Sequence, residues 1–178
     1  MTDSDLREAV GPHFSMPAML HARARSTEAV VRIAAAIRPG MTEGEAVSQA
    51  TGILRDMGMQ RIWHPTLVRS GAGTLKKFNE CSDGSSVLGD RDIFFVDIGP
   101  VWDGHEGGAG WRLNLDIKGH RVSDFPHAIY KAGNLGDFAD CPNTGLWILE
   151  IQIAHPTRDF GAFHEDILAS DLAGRHAP

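Results

Sequence analysis

The sequence lacks the features that mark secreted, membrane-spanning and nucleic-acid-binding proteins. No apolar run approaches the length that crosses a bilayer, and the acidic N-terminus, MTDSDLREAV, has no apolar segment typical of a secretory signal. No long basic run is present, and 23 acidic residues against 17 basic ones give a net charge of -6, which argues against a nucleic-acid backbone as partner. We therefore expect a cytoplasmic protein with no membrane partner and no nucleic-acid partner.

Cysteine is also scarce, and several common catalytic signatures are missing. The two cysteines, Cys81 and Cys141, stand far apart in no CxxC arrangement, which is typical of free thiols in a reducing compartment. The chain has no P-loop, no GxGxxG and no GxSxG motif. With 178 residues of ordinary globular composition, residues 1–178 are expected to form a single domain.

The order of sequence patterns predicts helices first and strands afterwards. Residues 16–38 carry apolar positions at helical spacing, and Pro39-Gly40 ends that helix. Thr42 then opens a second helix, with Glu45 completing a capping box, so that the N-terminal helices occupy residues 16–58. Strands that carry the candidate site residues follow within residues 92–168. They are predicted from three mainly apolar segments, 93–96, 146–153 and 161–168, which have polar residues within them or at their ends. An extended segment at 62–70 precedes them. The pattern indicates an α+β fold with an internal polar site.

Four ionisable residues lie at or near separate extended segments. Asp97 follows the apolar run 93–96 and precedes Gly99-Pro100, so on its own it is an ordinary turn-capping residue. Each of the other three residues also has a non-functional interpretation when it is taken alone. Glu150 could face water on an edge strand, His120 could be a surface histidine, and Glu165 could form a solvated pair with Asp166. Taken together, three strand-borne carboxylates and an imidazole are a ligand set that suits Mn, Fe, Co or Zn. Such an ion offsets the cost of burying several charges and activates a water near neutral pH.

Five segments, in order, resemble the pita-bread metallopeptidase family, which includes methionine aminopeptidase, Xaa-Pro aminopeptidase, prolidase and creatinase. They are AAIRPGMTEGEA (35–46), DIFFVDIGPVWDG (92–104), KGHRVSDFPH (118–127), LWILEIQI (146–153) and GAFHEDIL (161–168). The resemblance implies an α+β pita-bread fold, here shortened in the middle, with a curved, mainly antiparallel sheet and helices on its outer face. It also implies a metal-dependent hydrolase that cleaves N-terminal residues from peptides with a metal-activated water.

The resemblance assigns roles residue by residue. Metal ligands are implied at four positions: Asp97, His120, Glu150 and Glu165. They would hold one or two divalent ions of Mn, Co, Fe or Zn. Catalytic roles are implied for Glu150, which would move a proton, and for His127, which would contact the substrate and stabilise the reacting carbonyl. His64 is a weaker candidate for a substrate contact and stays outside the catalytic set. The substrate would be a peptide or a small amide.

The chain departs from the family in its middle. The family has a second Asp, which bridges two metals, eleven positions after the first, and here that position is Gly108. Some tens of residues that the family carries before its Gly-His motif are reduced to residues 109–118, either by a deletion in the gene or because the sequence is not that of the intact protein. Glu106, two positions before Gly108, is one possible substitute for the bridging Asp. Asp103 and Asp116 are weaker ones.

Two functions of different classes follow from this departure. In the first, the remaining ligands hold a metal and the chain is a hydrolase resembling Xaa-Pro aminopeptidase. In the second, the loss of the second Asp at Gly108 leaves a catalytically impaired homologue that acts as a binding protein. Losing helices from the sheet would also expose apolar surface and favour a homodimer.

Overall fold

A computed structural model describes residues 15–76, 80–110, 121–122, 127–128, 145–155, 157–170 and 176–177. Side chains are described for residues 15–76, 80–108, 154–155 and 157–161. Two helices precede a sheet, so the predicted α+β class is confirmed. Within this part of the chain, no helix has the length and hydropathy required to cross a membrane.

The two helices form where the sequence predicts them. Helix α1 spans Met16–Ala36 and helix α2 spans Glu43–Asp56. The predicted capping box at α2 is confirmed, because the Thr42 side chain accepts a hydrogen bond from the Glu45 amide while the Glu45 carboxylate accepts one from the Thr42 amide. Hydrogen bonds from the backbone and side chain of Thr42 lower the pKa of Glu45 below its usual value.

The described strands form one antiparallel sheet. In chain order they are β1 (Arg61–Ser70), β2 (Phe94–Trp102), β3 (His105–Glu106), β4 (Ala109–Gly110), β5 (Arg121–Val122), β6 (His127–Ala128), β7 (Gly145–Ala154), β8 (Gly161–Ser170) and β9 (His176–Ala177). The main path across the sheet is β1-β2-β4-β8-β7-β5. Strands β3, β6 and β9 pair with β2, β7 and β8 respectively. The central and C-terminal strands therefore lie side by side although they are distant in sequence.

Strand β2 is longer than its sequence predicts, and this corrects the position of Asp97. The Gly99-Pro100 pair predicts a turn, yet the strand continues through it to Trp102, so Asp97 lies inside β2. Tertiary pairing overrides the local signal, because β1 flanks β2 on one side and β3 and β4 flank it on the other. Pro100 has no N–H to donate, but its carbonyl accepts a hydrogen bond from Gly107. The tight turn comes later, at Asp103 and Gly104, both with positive φ.

The helices cover one face of β2 and leave the other face for the polar residues. Val96, Ile98 and Trp102 belong to the main apolar cluster. The helical members of that cluster come from both α1 and α2: Ala22, Ala29, Val30, Ile33, Ala46, Ala50 and Leu54. Successive strand residues point to opposite faces. Asp97 and Gly99 therefore lie on the face of β2 away from this cluster.

Candidate metal centre

The sheet register brings four of the predicted site positions into a single line. Asp97 on β2 pairs with Gly110 on β4, and Gly110 pairs with Glu165 on β8. Glu165 pairs with Glu150 on β7, and Glu150 pairs with His127 on β6. We call these five positions, from Asp97 to His127, the cross-sheet row. Directly paired residues of antiparallel strands lie on the same face of a sheet, so the four ionisable positions share one face.

The spacing within the cross-sheet row favours a bound cation. Residues directly opposite on neighbouring strands have Cβ atoms about 4.5–5.5 Å apart. Two carboxylates at Glu150 and Glu165 would therefore repel each other unless a proton or a metal ion were shared between them. Gly110, between Asp97 and Glu165, adds no side chain to the row. The positions of Glu165, Glu150 and His127 therefore have the composition and spacing to bind a cation, and Asp97 lies two strands from Glu165 on the same face.

Two of the predicted residues, His120 and Asp116, lie outside the described residues. The next residue after His120, Arg121, begins β5 and pairs with Ala154 on β7. Strand β5 and strand β6 thus both pair with β7, the strand that contains Glu150. The role of His120 as a metal ligand stays a prediction.

Asp97 is buried beside a histidine from the neighbouring strand. Its side chain and that of His64 on β1 are 7% and 9% exposed, and His64 Nε2 lies 3.6 Å from Asp97 Oδ1. The other ring nitrogen, His64 Nδ1, lies 2.9 Å from the carbonyl oxygen of Pro65. Because a carbonyl oxygen can only accept, this nitrogen carries the proton and donates it. The sequence alone places His64 outside the catalytic set, whereas the structure brings it close to Asp97.

The His64 ring occupies its position because residue 99 has no side chain. His64 pairs with Gly99 across β1 and β2. A Cβ atom added to Gly99 would lie 2.3 Å from His64 Cδ2 and 2.6 Å from Nε2, closer than real contacts allow. The strand pairing has the same register at Ile98–Ala109 and at Val101–Glu106. Gly99 and Gly108 lie between these two pairs, so they are opposite each other. His64, Gly99 and Gly108 therefore form a second line, next to the cross-sheet row.

Helix α1 fixes the backbone that leads into Gly108. The Ser26 hydroxyl donates to the Gly107 carbonyl at 3.2 Å and accepts from Trp102 Nε1 at 2.9 Å. All of these groups are buried, and a Cβ atom at Gly107 would lie 2.3 Å from Ser26 Oγ. A polar residue in the middle of α1 thus holds the segment between β3 and β4. Periodicity alone could not reveal this role, since Ser26 carries no apolar signal.

The two described candidates to replace the bridging Asp, Glu106 and Asp103, are exposed to solvent in this structure. Glu106 lies on the same face as Gly108, because residues two positions apart on a strand point the same way. Its carboxylate is half-exposed and lies 3.5 Å from Arg61 Nη2. Asp103 lies in the exposed turn after β2, with φ 48°. Among the side chains that the structure describes, no three histidines, cysteines or acidic residues gather as a metal site.

The described half of the site nonetheless fits a divalent ion. Asp97 Oδ1 and His64 Nε2 are a carboxylate oxygen and an imidazole nitrogen, the donor types that Zn, Co, Fe and Mn accept. The hydrogen bond from the second ring nitrogen of His64 to a backbone carbonyl is the arrangement found behind metal-binding histidines. Backbone register adds Glu165, Glu150 and His127 on the same face of the sheet.

Comparison with known proteins identifies related folds. The model of metallopeptidase family M24 matches residues 17–113, more than half of the chain. A Xaa-Pro dipeptidase from Bacillus anthracis is similar in structure, with a TM-score of 0.73 and 16% identity over 96% of this chain and 61% of that one. An X-Pro aminopeptidase from Thermotoga maritima gives a TM-score of 0.68 and 15% identity over 91% of this chain and 60% of that one. No match is found among curated proteins.

A prolidase from Pyrococcus furiosus has the same fold, with a TM-score of 0.67 and 13% identity over 93% of this chain and 63% of that one. The chain thus spans about three-fifths of the length of these three proteins. At these identities the likeness demonstrates the fold, which confirms the expected pita-bread architecture in a shortened form.

Proposed function

Because the chain belongs to metallopeptidase family M24, we propose that it is a metal-dependent peptidase that removes N-terminal residues from peptides. The observation that carries the proposal is the cross-sheet row, in which Asp97, Glu165, Glu150 and His127 share one face through consecutive strand pairs. Asp97 and Glu165, with Glu150 and His120, are the proposed metal ligands. When bound, a divalent ion supplies a nucleophilic water near neutral pH and polarises the peptide carbonyl.

The side chains of the cross-sheet row would carry out the other steps of hydrolysis. Glu150 and Glu165 are adjacent across β7 and β8, so either carboxylate can take a proton from the attacking water and deliver it to the leaving amine. His127, paired with Glu150, donates a hydrogen bond to the carbonyl oxygen as negative charge develops there. Asp97 is buried on a strand that the helical core supports, so its carboxylate is held in a fixed position.

Peptides with proline in the second position are the first substrates to test. The similar folds include an X-Pro aminopeptidase and a Xaa-Pro dipeptidase, which favours this choice. We expect release of the first residue from Xaa-Pro peptides, but no release from the same peptides acetylated at the N-terminus, because acetylation removes the terminal amine.

Chelation and one substitution test the proposal. A divalent-metal chelator is expected to abolish hydrolysis, and Glu150→Ala is expected to lower it by about 100-fold or more, in the range of lost acid–base catalysis. The matched control is Glu28→Ala, which removes a half-buried glutamate on α1 and should leave the rate unchanged. Hydrolysis that persists in chelator, or that survives in Glu150→Ala, would contradict the metallopeptidase proposal.

The glycine at position 108 favours a second candidate function, in which the protein binds peptides but does not cleave them. Gly108 has no carboxylate to bridge two ions, which weakens a two-metal site. On this alternative, peptides bind without cleavage, and a chelator does not change their affinity. Calorimetric titration with an Xaa-Pro peptide, with and without chelator, distinguishes the two candidates.

A further inference from the structure

The distance between His64 and Asp97 is the feature that the proposed row leaves unexplained. Nε2 and Oδ1 lie 3.6 Å apart in a buried environment. A charge-assisted N–H···O bond between an imidazolium and a carboxylate is about 2.7–2.9 Å long, so the observed separation is too long for one. Two donor atoms bound to the same tetrahedral ion, at metal distances of about 2.0–2.2 Å, are about 3.4 Å apart. The observed separation fits the second arrangement.

The contacts of the two ring nitrogens of His64 agree with a ligand role. Nδ1 lies 2.9 Å from the Pro65 carbonyl oxygen, and the other ring nitrogen, Nε2, lies 3.6 Å from Asp97 Oδ1. Metal-binding histidines have this arrangement, with one nitrogen on the ion and the other donating to a carbonyl or carboxylate.

The absence of a side chain at Gly99 explains why the ring can reach this position. Gly99 lies beneath the imidazole, and any Cβ there would overlap the ring. Gly108, on the other side of Gly99, likewise has no side chain. The His64 ring from β1 therefore extends over Gly99, towards Asp97.

We propose that His64 is a metal ligand, and that its Nε2 and Asp97 Oδ1 bind one divalent ion at the β1–β2 side of the row. This assignment rests on the proposed function, because it assumes that the row holds a metal. It adds a nitrogen donor from β1 on the side of the site where Gly108 provides no carboxylate. An added imidazole favours Zn²⁺ or Co²⁺ over Mg²⁺ or Mn²⁺, which prefer oxygen ligands.

Cobalt binding to the full-length, metal-free chain tests the assignment without an activity assay. Co²⁺ is titrated by calorimetry, and its visible absorption reports the ligand set. His64→Ala is expected to weaken Co²⁺ binding by at least about 10- to 100-fold and to change the absorption spectrum. A loss of this size is typical even for residues that only hydrogen-bond to a metal ligand. His21→Ala is the matched control, because His21 is an exposed histidine on α1.

A second variant keeps the histidine and moves its ring. Gly99→Ala introduces a Cβ atom that overlaps the His64 ring, so we expect it to reproduce the His64→Ala loss of affinity and spectral change. Should neither variant fold, electron spin resonance of the Cu²⁺-loaded His120→Ala protein decides the question. Coupling to an imidazole nitrogen, from His64, is the expected result, and the absence of imidazole coupling overturns the assignment.

The outcomes separate this inference from the proposed function. If the unvaried chain and His64→Ala bind Co²⁺ with equal affinity and identical spectra, His64 is not a ligand and the proposed function stands. If the unvaried chain binds no Co²⁺, both the ligand assignment and the proposed metallopeptidase are wrong.

Discussion

Asp97→Asn is expected to lower metal affinity by more than about 100-fold. Replacing a residue that only hydrogen-bonds to a metal ligand already lowers metal affinity by about 10- to 100-fold, and Asp97 is proposed to bind the metal itself. The substitution preserves the shape of the side chain but removes its charge. Loss of metal should abolish peptide hydrolysis to the same extent as chelation does. The measurements are calorimetric titration with Zn²⁺ or Co²⁺ and the rate of release of the first residue from an Xaa-Pro peptide.

The stability of the metal-free Asp97→Asn protein provides the contrast. Asp97 is buried, and a neutral amide costs less to bury than a carboxylate. We therefore expect the metal-free variant to be at least as stable as the unvaried protein, while the rise in unfolding temperature on adding metal disappears. A variant that binds metal normally but unfolds more easily would mean that Asp97 is structural. Asp103→Asn, an exposed aspartate in a turn that asparagine tolerates, is the matched control.

Glu43→Ala is expected to lower the free energy of unfolding by about 3 kcal/mol, the upper range for hydrogen bonds to a charged group. Glu43 lies in the first turn of α2, where the helix dipole favours a negative charge. It is 4% exposed, and its carboxylate accepts hydrogen bonds from the Ser70 amide at 2.8 Å and from the Ser82 hydroxyl. Alanine would leave the buried Ser70 amide unsatisfied.

The Glu43 contacts connect helix α2 to the strand that contains Glu165. Ser70 ends β1 and is followed by a 3-10 helix, Gly71–Leu75. Within that helix the buried Thr74 hydroxyl accepts a hydrogen bond from the amide of Gly161, the first residue of β8. We therefore expect Glu43→Ala to weaken metal binding as well, through the displacement of β8.

Urea unfolding at pH 7 measures the Glu43 effect. Glu28→Ala is a suitable control because it removes a glutamate from α1 whose ion pairs with Arg25 and Arg32 are open to solvent, so its effect should be below about 1 kcal/mol. Glu43→Gln keeps the shape and one acceptor oxygen, so an intermediate loss is expected. A change below about 0.5 kcal/mol in Glu43→Ala would mean that desolvation of the carboxylate cancels its hydrogen bonds.

Local sequence signals predicted the parts of the fold that depend on neighbouring residues. The capping box of Thr42 and Glu45 involves two residues only three positions apart. The long strands β7 and β8 match the segments 146–153 and 161–168, whose apolar residues are interrupted by polar ones. These features are confirmed because tertiary contacts agree with local preference in each case.

The features that the sequence did not reveal depend on long-range pairing. Asp97 was predicted to close a strand because Gly99-Pro100 is a turn signal, but pairing with strands on both sides extends β2 past it. His64 was placed outside the central set because no local pattern links it to Asp97. Only the register of β1 against β2, together with the missing side chain at Gly99, brings them together. Register between distant strands is not encoded in any short window.

The metal content of purified protein tests the central claim most directly. After mild dialysis, elemental analysis should find about one to two equivalents of divalent metal per chain, the range for one-ion and two-ion hydrolytic sites. The same analysis on His120→Ala should find little or none. Metal that is absent from the unvaried protein, or equally abundant in His120→Ala, would contradict a metal centre built from these residues.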